Sequence, residues 1–244
     1  MGTGQVYKNV KVFIGGYDIS GNMNQFAAPY EFEKVSFQSA GRPCGWVKPG
    51  MPSLSYSLQG HAESDDDPLG VEDVLSVLQA VEDVPIMWCP KTGAAGEVAF
   101  FAKGVGFEYL AAGQVGQGYS YSAAGGGQTR VVRGTVLEYG SKAASGDGTP
   151  RLVSAVTATQ RLYGVLHVLA VTGTDPTLDV VIESDEASAF ESAVERLTFS
   201  QAGAIGAQFA SVAGPITDTY FRAAVTVGGT DDPAFLIALA VGVL

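Results

Sequence analysis

The chain has 244 residues, long enough to bury one generous core or two small ones, and with 16% charged against 46% hydrophobic residues it lies far from the composition of a disordered chain. Its formal net charge of -11 excludes a basic, phosphate-tracking surface, because nucleic-acid affinity comes largely from Lys and Arg displacing counterions. Glycine is the outlier at 32 residues, and beside frequent Ser, Thr, Val and Tyr it predicts many short strands joined by turns.

In chain order, Met1 to Gly16 shows no basic flank followed by an apolar stretch, and no segment offers the run of ~18 or more apolar residues that a membrane span needs. A protein made and initially kept in the cytoplasm, without membrane contact, is expected. Val10, Val12 and Ile14 open a first strand that stops at Gly15-Gly16, and Tyr17-Asp18-Ile19-Ser20-Gly21-Asn22 supplies turn formers around one apolar residue. Ser53 to Gln59 alternates, with Leu54, Tyr56 and Leu58 on one face and hydroxyl or amide side chains on the other, the pattern of a half-solvated antiparallel strand. After the acidic turn Asp65-Asp66-Asp67-Pro68, apolar Val71, Val74, Leu75, Leu78 and Val81 recur at helical spacing, which predicts one flanking helix over 71–82, ended by Pro85. Ile86 to Cys89 and Val98 to Lys103 then read as strands around a Gly93-Ala94-Ala95-Gly96 turn. Ala111 to Gln128 has no helical period and is either a loop crossing or a weakly packed strand.

Lys142 to Pro150, with Gly146-Asp147-Gly148, reads as a linker. It divides the chain into an expected β domain, 1–146, and a second β lobe, 147–244, although a two-lobed single unit is equally allowed; the halves show no internal repeat. Arg161 to Thr172 and Tyr220 to Val227 are apolar on both faces, as central, doubly covered strands are. Ala234 to Leu244 ends the chain with Phe235, Ile237, Leu239, Val241 and Val243 on one side and Ala238, Ala240 and Gly242 on the other. Such a strand must be covered, so it either sits mid-sheet or pairs with another subunit.

Residues that carry chemistry do not cluster in the sequence. Cys44 and Cys89 are too few for a disulfide framework or a four-thiolate zinc site. His61 and His167 are far apart, and His167 lies inside an apolar strand, the setting of a core or interface histidine. Gly118-Tyr119-Ser120-Tyr121-Ser122 lacks the closing glycine of a nucleophile elbow. Gly125-Gly126-Gly127-Gln128-Thr129-Arg130 lacks the lysine and following helix of a phosphate loop and reads as a mobile loop tip. Asp65-Asp66-Asp67 and Glu183-Ser184-Asp185-Glu186 lack the spacing of a calcium loop and read as solvated turns. No catalytic, cofactor-binding or metal-binding residue emerges, and a catalytically inert protein without cofactor is expected.

The segment Val12-Phe13-Ile14-Gly15-Gly16-Tyr17-Asp18-Ile19-Ser20-Gly21 resembles the opening of the tail tube (major tail) proteins of long-tailed bacteriophages, where a strand runs into a Gly-Tyr-Asp-Leu-Ser-like turn. The resemblance continues through Pro49-Gly50-Met51 as a turn, the helix from Val71, the strand after Pro85, and Gly214-Pro215-Ile216-Thr217-Asp218-Thr219-Tyr220-Phe221-Arg222. It departs at Ser36-Phe37-Gln38-Ser39-Ala40-Gly41, where a Thr-Phe-Gly turn is expected.

The resemblance implies a mainly β, antiparallel sandwich or barrel with one flanking helix. It also implies a virion tail subunit that polymerises into stacked rings forming a DNA-ejection channel, assembled in the host cytoplasm. The implied partners are other copies of the chain, the tape measure and the tail terminator, with DNA passing transiently and without specific binding. A capsid decoration or receptor-binding protein is the alternative, suggested by the Tyr- and Gly-rich stretch Gly116 to Gly127; a hydrolase on a β-sandwich is a more distant one.

Overall fold

A computed structural model describes residues 9–37, 46–61, 70–114 and 119–244. Its strands are β1 (Lys11–Ile14), β2 (Tyr17–Asp18), β3 (Met23–Ala27), β4 (Tyr30–Phe37), β5 (Trp46–His61), β6 (Val84–Cys89), β7 (Val98–Ala112) and β8 (Ser120–Gly127). After them come β9 (Val132–Lys142), β10 (Gly146–Asp147), β11 (Arg151–Leu152), β12 (Arg161–Asp185), β13 (Val194–Thr198), β14 (Gly206–Ala213) and β15 (Tyr220–Val243). Helix α1 (Val71–Val77) is the one α-helix among the described residues, so the fold is mainly antiparallel β with one short helix, as the sequence predicts. Cys44, Gln38 to Gly41, Asp65 to Pro68 and Gly118 lie outside the described residues.

The chain forms two compact units. The first takes the residues up to Gly21, Val84–Ala102 and Val132–Leu244; the second takes Asn22–Asp83 and Lys103–Val131. The segment Lys142 to Pro150 lies inside the first unit, where Gly146 and Asp147 form β10 opposite Val225 and Ala224 of β15.

The first unit is organised by β12 and β15, an antiparallel pair of 25 and 24 residues. Its register slips between Val168 and Ala170, between Thr172 and Thr174, and between Thr174 and Thr177. The halves of the pair on either side of these slips stack on one another. A Cβ added at Gly164 in one half would stand 2.9 Å from Ile182 Cδ1 in the other. Leu162, Leu166 and Val168 share one buried cluster with Leu178, Val180 and Ile182. Val165 and Leu169, on the opposite face of the same strand, share a second cluster with Phe13, Met87 and Phe101. The expected double covering of Arg161 to Thr172 is therefore present.

The C-terminal strand lies between β12 and β9, so of the two expected arrangements it adopts the mid-sheet one. Its large side chains Phe235, Ile237, Leu239 and Val241 fill the first cluster, and its small side carries Ala238 and Ala240 in the second. That small side accommodates large residues of the same chain rather than a neighbouring subunit. Tyr220 to Val227 departs from expectation, since Phe221, Ala223 and Val225 are buried while Arg222, on the opposite face, is ion-paired.

In the second unit, β5 from Ser55 to His61 lies between β3 and β8, and β8 pairs with β7 from Gly104 to Ala112. Leu54, Tyr56 and Leu58 are buried while Ser53, Ser55 and Gln59 are exposed, as the alternation predicts. Gly125, Gly126 and Gly127 are not a loop tip: they belong to β8, the first two paired on both sides and Gly127 with Gly104 of β7. A side chain at Gly125 would strike the Tyr56 ring, and a Cβ at Gly127 would stand 2.6 Å from Leu54 Cβ. Glycine is required there for close approach, not for mobility.

The helix ends earlier than its periodicity suggests. Beyond Leu78 the backbone is taken up by β7, with Gln79 bridging to Gly106 and Ala80 N donating to Gly106 O at 2.9 Å. Ala80 adopts φ 58, which no continuing helix tolerates. Val71, Val74 and Leu75 are buried, but Leu78 is only half-buried and Val81 exposed. Pro49-Gly50-Met51 is likewise no turn: Phe32 faces Pro52 and Lys34 faces Pro49, so Gly50 and Met51 form a bulge inside β5.

Candidate assembly surface

The residues singled out in the sequence are used internally. Gly15 and Gly16, at φ 61 and 98, make the two-residue turn between β1 and β2 in the left-handed geometry that matches strand twist. Asp18 pairs with Lys11 (Oδ2 to Nζ, 2.7 Å) and accepts from Ser20 N at 3.0 Å, and Val12 N donates to Ser20 Oγ at 2.8 Å. Asp218 accepts from Ser184 Oγ at 2.6 Å and pairs with Arg196 at 2.8 Å, while Arg196 Nε donates to Ser184 Oγ at 2.7 Å. The Ser184 hydrogen bond, helped by the Arg196 guanidinium, holds the Asp218 carboxyl below the usual carboxylate range against the opposing effect of burial.

The stretch Glu183 to Asp185 is not a solvated turn. Glu183 pairs with Arg222, Ser184 is fully buried, and buried Asp185 accepts from Ala187 N and Ser192 N at 2.9 and 2.7 Å. Sequence reasoning missed this network because its partners come from Arg196 on β13, Arg222 on β15 and Asp218 in the loop before β15.

His167 is fully buried, and its Nδ1 accepts from Gly16 N at 3.3 Å, which places the ring proton on Nε2. Burial drives its pKa down to about 3, so the ring is neutral, and Nε2 finds no hydrogen-bond partner among the described residues. Gly16 sits so close to Gly206 that an added Cβ would lie 2.6 Å from its backbone. This is a packed core histidine that ties the β1–β2 turn to β12. His61 ends β5, exposed, in the other unit. Cys89 is buried, and burial, with Glu97 and Asp18 behind it, pushes its thiol up to about 12. Among the described residues no three His, Cys, Asp or Glu side chains converge, and no helix is long and apolar enough to cross a membrane.

What stands out instead is unspent apolar surface. Of the eleven large hydrophobic side chains exposed among the described residues, nine belong to the second unit. Five of these lie on the two-stranded ribbon made by β4 and the first part of β5, paired from Tyr30–Leu54 out to Phe37–Trp46. No residue of β4 is buried, and none of β5 before Leu54. One face of the ribbon carries Val35 and Phe37 beside Lys48 and Trp46; the Phe37 and Trp46 rings meet edge-on at 6.1 Å, with Lys48 Nζ 5.9 Å from the Trp46 ring centre. The other carries Tyr30 and Phe32, their rings 5.5 Å apart, with Pro49, Pro52 and Val47. Beyond Tyr30, whose hydroxyl is buried, both faces of the ribbon are largely exposed, and two strands so placed are marginal in water.

The four-stranded part of the unit has an open face as well. Across it run the rows Gln25–Gln59–Ser122–Leu110 and Ala27–Ser57–Ala124–Glu108. Leu110 and Phe107 are exposed, and the Phe107 ring lies over Gly126, where an added Cβ would stand 3.0 Å from it.

No family model matches the chain, and no curated protein matches it. Solved structures do. A chain of the virion of a native gene transfer agent particle is 16% identical with a TM-score of 0.42, over 52% of this chain and 97% of that one. A chain of the sheath–tube complex of the PVC extracellular contractile injection system, in its extended state, is 13% identical with a TM-score of 0.42, over 54% of this chain and 91% of that one. The Dit protein of SPP1, described as a hub adsorption apparatus of phages infecting Gram-positive hosts, is 10% identical with a TM-score of 0.39, over 97% of this chain and 100% of that one.

Proposed function

We propose that the chain is a non-enzymatic structural subunit of a virion tail, which joins copies of itself into stacked rings forming a tube. The observation that carries this reading is the uncovered ribbon β4/β5, with Phe32, Phe37, Trp46, Val47 and Met51 exposed. A soluble monomer rarely leaves a contiguous apolar projection without a partner. The sequence resemblance to tail tube proteins around Asp18 and Asp218 supplies the kind of assembly. The net charge of -11 suits a channel that DNA slides through, since like charge denies the phosphates a hold. Assembly in the host cytoplasm, against a tape measure and under a terminator, follows from the same reading.

The capsid decoration reading is weakened, because Ser120–Gly127 form an internal strand rather than a recognition loop. Electron microscopy of the purified chain at rising concentration, with sedimentation velocity, tests the proposal. Hollow polymers of uniform diameter are the expected result. Monomers or trimers at all concentrations, with particles carrying the chain on the capsid alone, overturn it.

A further inference from the structure

We infer that His167 is an acid-operated latch: as the neutral ring it holds the β1–β2 turn against β12, and a proton on its Nδ1 lets that turn come away while the rest of the first unit stays folded. The latch lies within the first unit and stands whether or not the chain polymerises.

The turn is held at few points. Strand β2 has two residues and stands last in the strand order, joined to β1 through the pairs Phe13–Asp18 and Ile14–Tyr17. Within the turn, Gly15 N donates to Pro85 O at 3.0 Å, and Gly16 N donates to His167 Nδ1 at 3.3 Å. Gly16 lies so close to the backbone of Gly206 in β14 that a Cβ would not fit between them. The Phe13 ring stands 5.8 Å from the imidazole, and His167 has no exposed surface.

A proton at Nδ1 turns the acceptor in this contact into a donor, so two N–H groups then face each other. Nothing nearby compensates the charge. Nε2 has no hydrogen-bond partner among the described residues. Strand β14 and the stretch Ala234 to Val243 of β15, which flank His167 on its two sides, carry no titratable residue. On the other elements around Phe13 the titratable groups are Lys11 and Asp18 of β1 and β2, Cys89 of β6, Glu97 before β7, Tyr139 of β9 and Tyr163 of β12 itself. Both carboxylates are committed: Asp18 to Lys11 and Ser20 N, and Glu97 to Thr92 Oγ1, Gly93 N and Ala94 N. A buried imidazolium without an anion must reach water, and the wall that moves is the two-residue strand rather than the long paired strands β12 and β15.

The ring takes up a proton near its ordinary pKa of 6.5 when the turn is open and only at about 3 when it is shut, so each pH unit lost in that window shifts the balance about tenfold toward opening. Hydrogen exchange of the full chain, read by mass spectrometry and corrected for the intrinsic pH dependence of amide exchange, tests this. A peptide spanning Ile14 to Ile19 should be protected at least about tenfold less than one spanning Ile237 to Val241, and its protection should fall on the order of 100-fold between pH 6 and 4. His167→Gln keeps an acceptor for Gly16 N and removes the proton site, so the fall should vanish. Asp18→Asn leaves the imidazole in place and should keep it. Should His167→Gln not fold, the unaltered chain and Asp18→Asn still decide. Equal protection of the two peptides would show that the turn opens only with the whole unit, and a fall that survives His167→Gln or disappears in Asp18→Asn would place the titration elsewhere; each of these overturns the latch.

Discussion

The two units differ in how much of their apolar surface they bury. In the first, the stacked halves of β12 and β15 present side chains to a core on either face, and Leu152 and Val194 are the only large apolar side chains left exposed among its described residues. It also holds ion pairs between strands and loops distant in sequence, as with Arg196–Asp218 and with Arg222 between Glu183 and Asp147. The second unit is smaller yet exposes nine such side chains, five of them on a ribbon that buries no residue before Leu54. The same alternating strand chemistry thus yields a self-sufficient core in one place and an unfinished one in the other. An unfinished core is what a subunit of a larger assembly carries, because the missing half is supplied on association.

This contrast breaks if truncations in the first unit are harmless, so the largest effect is expected at Phe235, fully buried in the first cluster. Phe235→Ala should cost about 3–5 kcal/mol in denaturant unfolding, the range for deleting a buried aromatic ring. A loss under about 1 kcal/mol would show a core far looser than the burial implies.

Acid provides the next probe. The folded His167 pKa is about 3 against an ordinary value of 6.5, so the buried neutral ring is stabilised in full above pH 6.5 and that stability drains away as pH falls toward 3. Integrated to pH 3 the loss is on the order of 4 kcal/mol. Asp218, whose folded pKa is depressed, adds to it in the same direction as its carboxyl protonates. His167→Gln keeps an acceptor for Gly16 N and should flatten the stability profile between pH 6.5 and 3. An unchanged profile would show that His167 is not the group titrating.

Helix α1 sharpens the comparison from within the second unit. Leu75 is buried and Leu78 half-buried at the helix end, so Leu75→Ala should cost about 2–3 kcal/mol and Leu78→Ala about 1 kcal/mol. Equal costs would return Leu78 to the apolar stripe that its spacing suggested.

The smallest effect on folding is expected on the ribbon. Met51 is 78% exposed, and Met51→Ser should shift monomer stability by no more than about 0.5 kcal/mol. The same change should still lower the tendency to associate, measured by sedimentation at high concentration. A monomer destabilised as much as by Leu75→Ala would mean that the ribbon is covered within its own chain.

The sequence by itself determined those features whose physics is local. Alternation from Ser53 to Gln59 specifies which face of β5 is buried, two consecutive glycines specify the β1–β2 turn, and apolar residues of both parities mark β12 as covered on two sides. Only the tertiary structure decided what depends on residues distant in the chain. Gly125 to Gly127 look like a loop until the Tyr56 and Leu54 side chains of a neighbouring strand are set over them. Glu183 to Asp185 look solvated until Arg196, Asp218 and Arg222 arrive from distant parts of the chain. Helix α1 stops when the backbone of β7 captures Gln79 and Ala80, a competition that helical periodicity does not register. The candidate site was the least legible part. Phe32, Phe37, Trp46, Val47 and Met51 carry the same apolar signal as core residues, and hydrophobicity along a chain reports the wish to be buried, whereas packing decides whether the chain itself or another molecule grants it.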